Sequence, residues 1–405
     1  MHRRFHEGSN SHINEADVTD EYLQFALRQS NQAIQEIMKT SSAGPQEARP
    51  DKVTLMVCAI LFSSMACLQG HQREGLLHLQ SGIKMLNELD REGTEKPESH
   101  PVDVESLRSI FLGLDIQAHS IMNGDARARW ESVSRTVQPK VLEPMDVESD
   151  ALLAIERYFQ ALFSHALSFL QDTIHRSTEE RDDVYHGYVR LLRRLDHGTD
   201  TLQMLCAKST QSKSDDSQPL TALQLLQSQL EYVLRSPRQS LERKFEFVVD
   251  PTGKKLDIAS HFTRMLDLAS KLLPNNPKLP PVFTTASGPL QALWLIATRA
   301  PSDRLDLRKR AAALMRSCPR REGFWDGSVA SSLIDQVMKI EQESTREEFG
   351  LSEDPGYDLI VPEDLRIINV ALSYDEEDDR KAQINFRSGR DMAQRTPGRD
   401  TMVTW

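Results

Sequence analysis

The sequence predicts an all-α protein, a large multi-helix array with a small C-terminal β-hairpin. Two patterns carry that prediction. From Val18 to Ile340 apolar residues recur at three- and four-residue steps in one segment after another, the period of a helix with one buried stripe. Between Leu365 and Arg387 the pattern switches to alternation of apolar and polar residues, the period of strands. Proline and glycine then mark where each element stops.

In chain order, Val18 to Met38 sets Leu23, Ala26, Leu27, Ile34 and Ile37 on one side, with Asp17 or Thr19 as N-cap. Gly44, Pro45 and Pro50 make the following stretch a loop. A helix from Lys52 contains the most apolar run, Val53 to Leu68. That run is shorter than the roughly 20 residues of a membrane span and carries Thr54, Ser63 and Ser64, so it reads as a buried core helix. Gly70 breaks it, and Gln72 to Leu89 returns as the second arm of an antiparallel hairpin, with Leu76, Leu79, Ile83 and Leu86 in a narrow stripe. After a solvated loop, Arg91 to Pro101, the helix Val104 to Met122 offers Leu107, Ile110, Phe111, Leu114 and Ile121 to a core.

From Gly124 to Pro144 the period is weak. Ala151 to Ile174 has the strongest signal: Leu152, Ile155, Phe159, Leu162, Ala166 and Phe169 repeat almost as a heptad. Val184 to Leu195 forms a further helix, and His197-Gly198 breaks it before Leu202 to Cys206. Ala207 to Pro219 is polar and of low complexity, a mobile loop. Helices resume at Ala222 to Leu234 and Ile258 to Leu273. Pro274, Pro277, Pro280 and Pro281 then impose an extended linker. The last helices are Pro289 to Thr298, Leu305 to Ser317 and Ser328 to Ile340; Pro319 and Gly323 stop and turn the chain between the final two. Leu365 to Tyr374 and Lys381 to Arg387 pair as a hairpin around Asp375 to Asp379, and such a hairpin needs a helical body to pack on. The resulting organisation is a flexible N-terminus (1–17), a helical body (18–343) with a mobile loop near 207–219 and a Pro-rich linker at 274–281, a packed hairpin (360–388) and a flexible tail (389–405).

The chain has 405 residues, 39% hydrophobic and 27% charged, a soluble globular balance. With 49 Lys plus Arg against 60 Asp plus Glu, its net charge is −11. So acidic a chain gains little from counterion release and is not expected to coat nucleic acid or an anionic membrane. Four cysteines, Cys58, Cys67, Cys206 and Cys318, form no C-x-x-C pair and fit a reducing compartment. No apolar run follows the N-terminal arginines, so no secretory signal is read there.

Chemistry-bearing motifs are scarce. There is no Gly-rich phosphate loop, G-x-S-x-G elbow or H-E-x-x-H, so no catalytic, cofactor-binding or metal residue is assigned, and no enzyme is expected. His71 and His78 share a helix face without a third ligand and read as boundary histidines. Cys58 and Cys67 point in different directions around one helix and read as packing. Asp182-Asp183 reads as a helix N-terminal cap and Asp375 to Asp379 as a solvated turn. The densest basic group, Arg304, Arg308, Lys309, Arg310, Arg316, Arg320 and Arg321, reads as a solvated helix face plus arginines capping its C-terminus.

Three segments together carry a family resemblance. They are FALRQSNQAIQEIM with LQGHQREGLLHLQSGIKMLNEL; the stretch from Ala292 to Glu343 containing RSCPRREGFWD; and VPEDLRIINVALSYDEEDDRKAQINFR. In this order they resemble the regulatory region of fungal zinc-cluster transcription factors, with Gly70, His78 and Gly82 at positions that look like the family's, and Arg316 to Asp326 as the most specific part. The likeness runs from about Tyr22 to Arg387. Residue by residue, the turn has a structural explanation: Gly323 permits a tight reversal, Phe324 and Trp325 bring apolar area, and Asp326 caps the next helix.

Members of that family begin with a six-cysteine, two-zinc cluster that places a helix in the DNA major groove. Here the first cysteine, Cys58, already lies in a core helix. The resemblance therefore implies a nuclear regulator, with the cytoplasm also open to it, that keeps the helical regulatory domain without its DNA-binding head. It would contact no specific DNA sequence directly and bind no cofactor, acting through protein partners: a full-length zinc-cluster relative or a second copy. A tie to secondary-metabolite or nutrient pathways is a family implication. The alternative is a helical scaffold or ligand-sensing protein without a transcriptional role.

Overall fold

The computed structural model describes residues 21–42, 51–92, 101–122, 130–133, 148–212, 217–236, 254, 256–273, 282–317, 320–351, 358–374 and 381–404. The expectations for the N-terminus, the 274–281 linker, Pro319 and the Asp375 to Asp379 turn lie outside these residues. The fold is all-α with a small β element toward its C-terminal end.

Helix α1 (Glu21–Ser42) is amphipathic, yet its Phe25, Ile34 and Met38 are exposed, so Ile34 does not face a core. The next two helices, α2 (Lys52–Gln69) and α3 (Gln72–Glu92), make the expected hairpin. Asp51 caps α2 by accepting the Thr54 N–H at 2.9 Å, and Gly70 ends it at φ 84°, a left-handed conformation that glycine adopts without strain. Met56, Cys67, Leu79, Ile83 and Leu86 are buried between this hairpin and α4 (Val104–Ile121), whose Leu107, Phe111 and Leu114 complete a first core. Gly82 sits where the helices come closest: a Cβ there would stand 2.5 Å from the Phe111 ring and 3.0 Å from the Ala59 Cβ. Each large side chain buried in this way stabilises the fold by about 1.5–3 kcal/mol.

A second core forms among α5 (Glu148–His175), α6 (Arg181–Ser212) and α7 (Ser217–Arg235), from Phe159, Leu162, Phe163, Tyr188, Leu192 and Leu230. Two expectations change here. Helix α6 runs unbroken through His197-Gly198, because Gly198 serves contact rather than a turn: a Cβ would lie 2.7 Å from the Tyr158 ring. Most of the predicted loop at 207–219 is likewise helical, α6 reaching Ser212 and α7 starting at Ser217, with 213–216 outside the described residues. Polar residues continue a helix at little cost once packing on the preceding turns has nucleated it.

The third core gathers α8 (Ile258–Leu272), α9 (Pro289–Arg299), α10 (Leu305–Ser317) and α11 (Gly327–Glu348) around Phe262, Leu266, Leu293, Ile296, Ala311 and Ile334. Strand β1 (Val282–Thr284) pairs in parallel with β2 (Arg320–Glu322), which pairs antiparallel with β3 (Trp325–Asp326), a small sheet that the helical period does not announce.

The adjacent face of α11 packs Leu333 and Val337 on Ile367, Ile384 and Phe386 of β4 (Ile367–Tyr374) and β5 (Lys381–Ser388). The hairpin and tail expectations are corrected here. Ser388 and Asp391 form a capping box that starts α12 (Gly389–Gln394); Arg395 at φ 59° and Gly398 at φ 80° turn the chain back. Strand β6 (Arg399–Thr404) then adds antiparallel to β5, making three strands, so 389–404 is structured. Its order comes from capping and backbone pairing, which leave no apolar period in the sequence.

Candidate functional site

The most specific sequence feature, Arg316 to Asp326, is also where the cores meet. Beyond α10 the chain runs through β2, reverses at Gly323 (φ 51°) and returns through β3 into α11. A Cβ on Gly323 would meet the Gln117 side-chain oxygen at 2.2 Å, so the backbone needs glycine for both conformation and space. The Gln117 side chain donates to the Thr285 carbonyl at 3.0 Å and accepts the Phe324 N–H at 3.3 Å, tying α4 to the end of β1 and to the turn between β2 and β3.

The turn at Gly323 and Phe324 sends the two adjacent aromatics to different cores. Phe324 enters the first core, touching the space above Gly75, while Trp325 enters the third, its ring 5.4 Å from that of Trp294 and its indole N–H donating to Ser120 Oγ at 3.1 Å. The charged residues are equally committed. Arg321 donates to Asp326 at 2.6 Å and to the Leu68 carbonyl at 2.8 Å, so it caps the C-terminus of α2, a helix 253 residues away in sequence. Glu322 is buried and accepts from the Gly288 and Leu290 N–H groups at 3.0 Å each, capping α9; Arg320 pairs with it. Burial pushes the Glu322 carboxyl above its ordinary range, against the pull of Arg320 and the two N–H groups. Asp326 accepts from the Ser328 and Val329 N–H groups at 2.9 and 3.1 Å, the expected cap of α11. This arrangement joins helices; its polar groups are spent on positioning.

The basic group divides, which corrects the solvated-face expectation. Arg304 pairs with Asp306, Lys309 with Asp358 and Arg316 with Asp335 toward solvent. Arg308 is instead 1% exposed, donating from Nε to the Ala297 carbonyl and from a terminal nitrogen to Glu341, both at 2.6 Å. Glu341 is 0% exposed and also accepts the Ile367 N–H at 2.9 Å, linking α10, α11 and β4. Arg366 donates to the Ala300 and Thr298 carbonyls at the end of α9. Sequence reasoning missed Glu341, although a signal exists: Val337, Glu341 and Thr345 fall on one buried stripe of α11, and a carboxylate on such a stripe demands a buried partner.

Of the family-like positions, Gly70 is the α2 C-cap and Gly82 the close approach to α4. His78 is half-buried with its ring 5.5 Å from that of Phe62, and burial lowers its pKa. Cys67 is buried and its thiol is pushed up to about 12 by desolvation; Cys58 and Cys206 are raised for the same reason. Asp182 and Asp183 lie in the first turn of α6. Among the described residues no three His, Cys, Asp or Glu side chains gather to hold a metal. One buried acid stands out: Asp115 on α4 accepts from Trp130 Nε1 at 2.7 Å and from the Val133 N–H at 3.4 Å, with His119 3.8 Å away, and burial raises its pKa to about 7.

Comparison with known proteins adds one relative. Over 95 residues the chain is 33% identical to the aspercryptin biosynthesis cluster-specific transcription regulator of Emericella nidulans. The match spans 24% of this chain and 15% of that protein. No family model matches the chain, and no solved structure does.

Proposed function

We propose that the chain is a fungal transcription-regulator-like protein that works through its helical regulatory body. The observation that carries this reading is the 33% identity over 95 residues to a fungal cluster-specific transcription regulator. The Arg316 to Asp326 joint supports it: the part of the sequence most like the family's regulatory region is the part that binds the cores together. In this reading the protein resides in the nucleus. Within these 405 residues there is no six-cysteine cluster, and in this reading they act through protein partners, pairing with a second copy or with a zinc-cluster relative that supplies the DNA contact, while the controlled genes belong to a secondary-metabolite or nutrient pathway.

The test tethers the full chain to an unrelated DNA-binding domain upstream of a reporter and tracks the untethered chain in fungal cells. Nuclear accumulation and a several-fold change in reporter output are expected. Exclusion from the nucleus with an unchanged reporter overturns the reading. Tight binding of the purified chain to a specific duplex at physiological salt overturns the assignment of DNA contact to a partner.

A further inference from the structure

Helix α6 carries Asp183, His186, Arg190 and Arg193 at three- and four-residue steps, and so along one face, with Arg194 beside them. Helix α5 runs alongside and contributes His165 and Phe169, with Arg176 just past its end. Together these residues line a groove of about 800 Å³, within the size range of small-molecule sites. Its floor is apolar: Phe169 lies so close over Gly187 that a Cβ there would stand 2.6 Å from the ring, and Val189 and Leu191 also contribute.

The charge of this groove runs against that of the protein. Four arginines and one aspartate line it, 4 − 1 = +3, in a chain whose net charge is −11. Arg176 leans on Glu180 at 3.6 Å, and Arg194 reaches His165 at 3.4 Å across the groove. Arg190 and Arg193 are exposed and have no ion-pair partner among the described residues. Like charges three and four residues apart on a helix repel, so α6 bears this cluster at a cost that a bound anion would relieve. A guanidinium presents a planar fork suited to carboxylate or phosphate.

We propose that the α5–α6 groove binds a small organic anion bearing at least two carboxylate or phosphate groups. Arg190 and Arg193, with Arg194 and His165 beside them, grip the anionic groups at one end, and the carbon frame lies on Phe169. Asp183 at the far end disfavours a further negative charge and can accept a hydroxyl or amine. A small ligand fits better than nucleic acid, because the arginines line a recess and the surrounding acidic surface repels a long polyanion. The proposal does not rest on the regulatory reading.

The test is calorimetric titration of the full purified chain, in buffer free of phosphate, with citrate and with pyrophosphate as separate probes. Saturable binding of at least one is expected, with the preferred probe telling carboxylate from phosphate chemistry. The double variant R190Q/R193Q should lose at least tenfold in affinity, while K84Q, an exposed site on α3, should lose none. If the double variant alters the helical circular dichroism spectrum, R190Q and R193Q are measured singly and each must weaken binding. Absence of saturable binding by either probe, affinity unchanged in the arginine variants, or tighter arginine-dependent binding of a random DNA duplex would overturn the proposal.

Discussion

Two arginine-rich regions of this protein have opposite fates. Between Arg304 and Arg321 each buried guanidinium has a carboxylate or a helix-end carbonyl to hold: Arg308 has Glu341, and Arg321 has Asp326 and Leu68. Between Arg176 and Arg194 the guanidiniums line an open groove, two of them without an ion pair among the described residues. An arginine density in a sequence therefore has no single meaning. Where acceptors of matching number are built in, the cluster is a joint; where they are not, it is available to something from outside.

The largest effect expected from breaking this contrast is at the buried pair. Arg308→Met strands Glu341 without its counter-charge and should cost about 3–5 kcal/mol in denaturant unfolding, whereas adding Glu341→Met should recover part of that loss. A loss below about 1 kcal/mol for the single variant would place this pair with the exposed ones.

Asp115 comes next, a buried acid held by neutral donors rather than by an arginine. Its folded pKa, about 7, lies above the unfolded value of 3.8. The stability tied to its neutral form is therefore fully present below pH 3.8 and is lost as pH rises toward 7, on the order of 4 kcal/mol across that window. Asp115→Asn, uncharged at every pH, should flatten this decline in unfolding free energy; an unchanged pH profile would show that the carboxyl ionises freely.

Gly82→Ala sharpens the packing side. The added methyl at 2.5 Å from Phe111 should cost about 1–3 kcal/mol, read as a lowered melting temperature. Gly350, also glycine but with nothing within 4 Å, is the space control, though its φ of 66° carries a conformational penalty of its own. The smallest effect is expected in the open groove: Arg190→Gln should change stability by no more than about 0.5 kcal/mol without ligand. A loss above 1 kcal/mol would make Arg190 a structural arginine like Arg308.

Most helices were legible because each had to present an apolar stripe to a neighbour, and the stripe at Gln72 to Leu89 or Ala151 to Ile174 survives in any context. Glycines misled where they serve contact. Gly70 does end a helix, at φ 84°, but Gly198 lies inside one, and both look alike in sequence. The tail from Gly389 was illegible because capping and edge pairing use polar side chains and backbone groups without a period. The Arg316 to Asp326 joint was legible as a turn, while its role as the meeting point of two cores was not. Phe324 and Trp325 are simply adjacent aromatics until the first and third cores close on either side of them.

Periodicity is a local property, written within a few turns of one helix, and it was enough to establish the all-α class and the α2–α3 hairpin, while residue type alone placed the cap at Asp326. The fate of each charged side chain is not local. Arg308 finds its carboxylate 33 residues away and Arg321 its helix end 253 residues away, while Arg190 and Arg193 find none among the described residues. Those outcomes depend on which faces come together when separate helices pack, because desolvation and pairing act between surfaces that only the folded chain brings within reach.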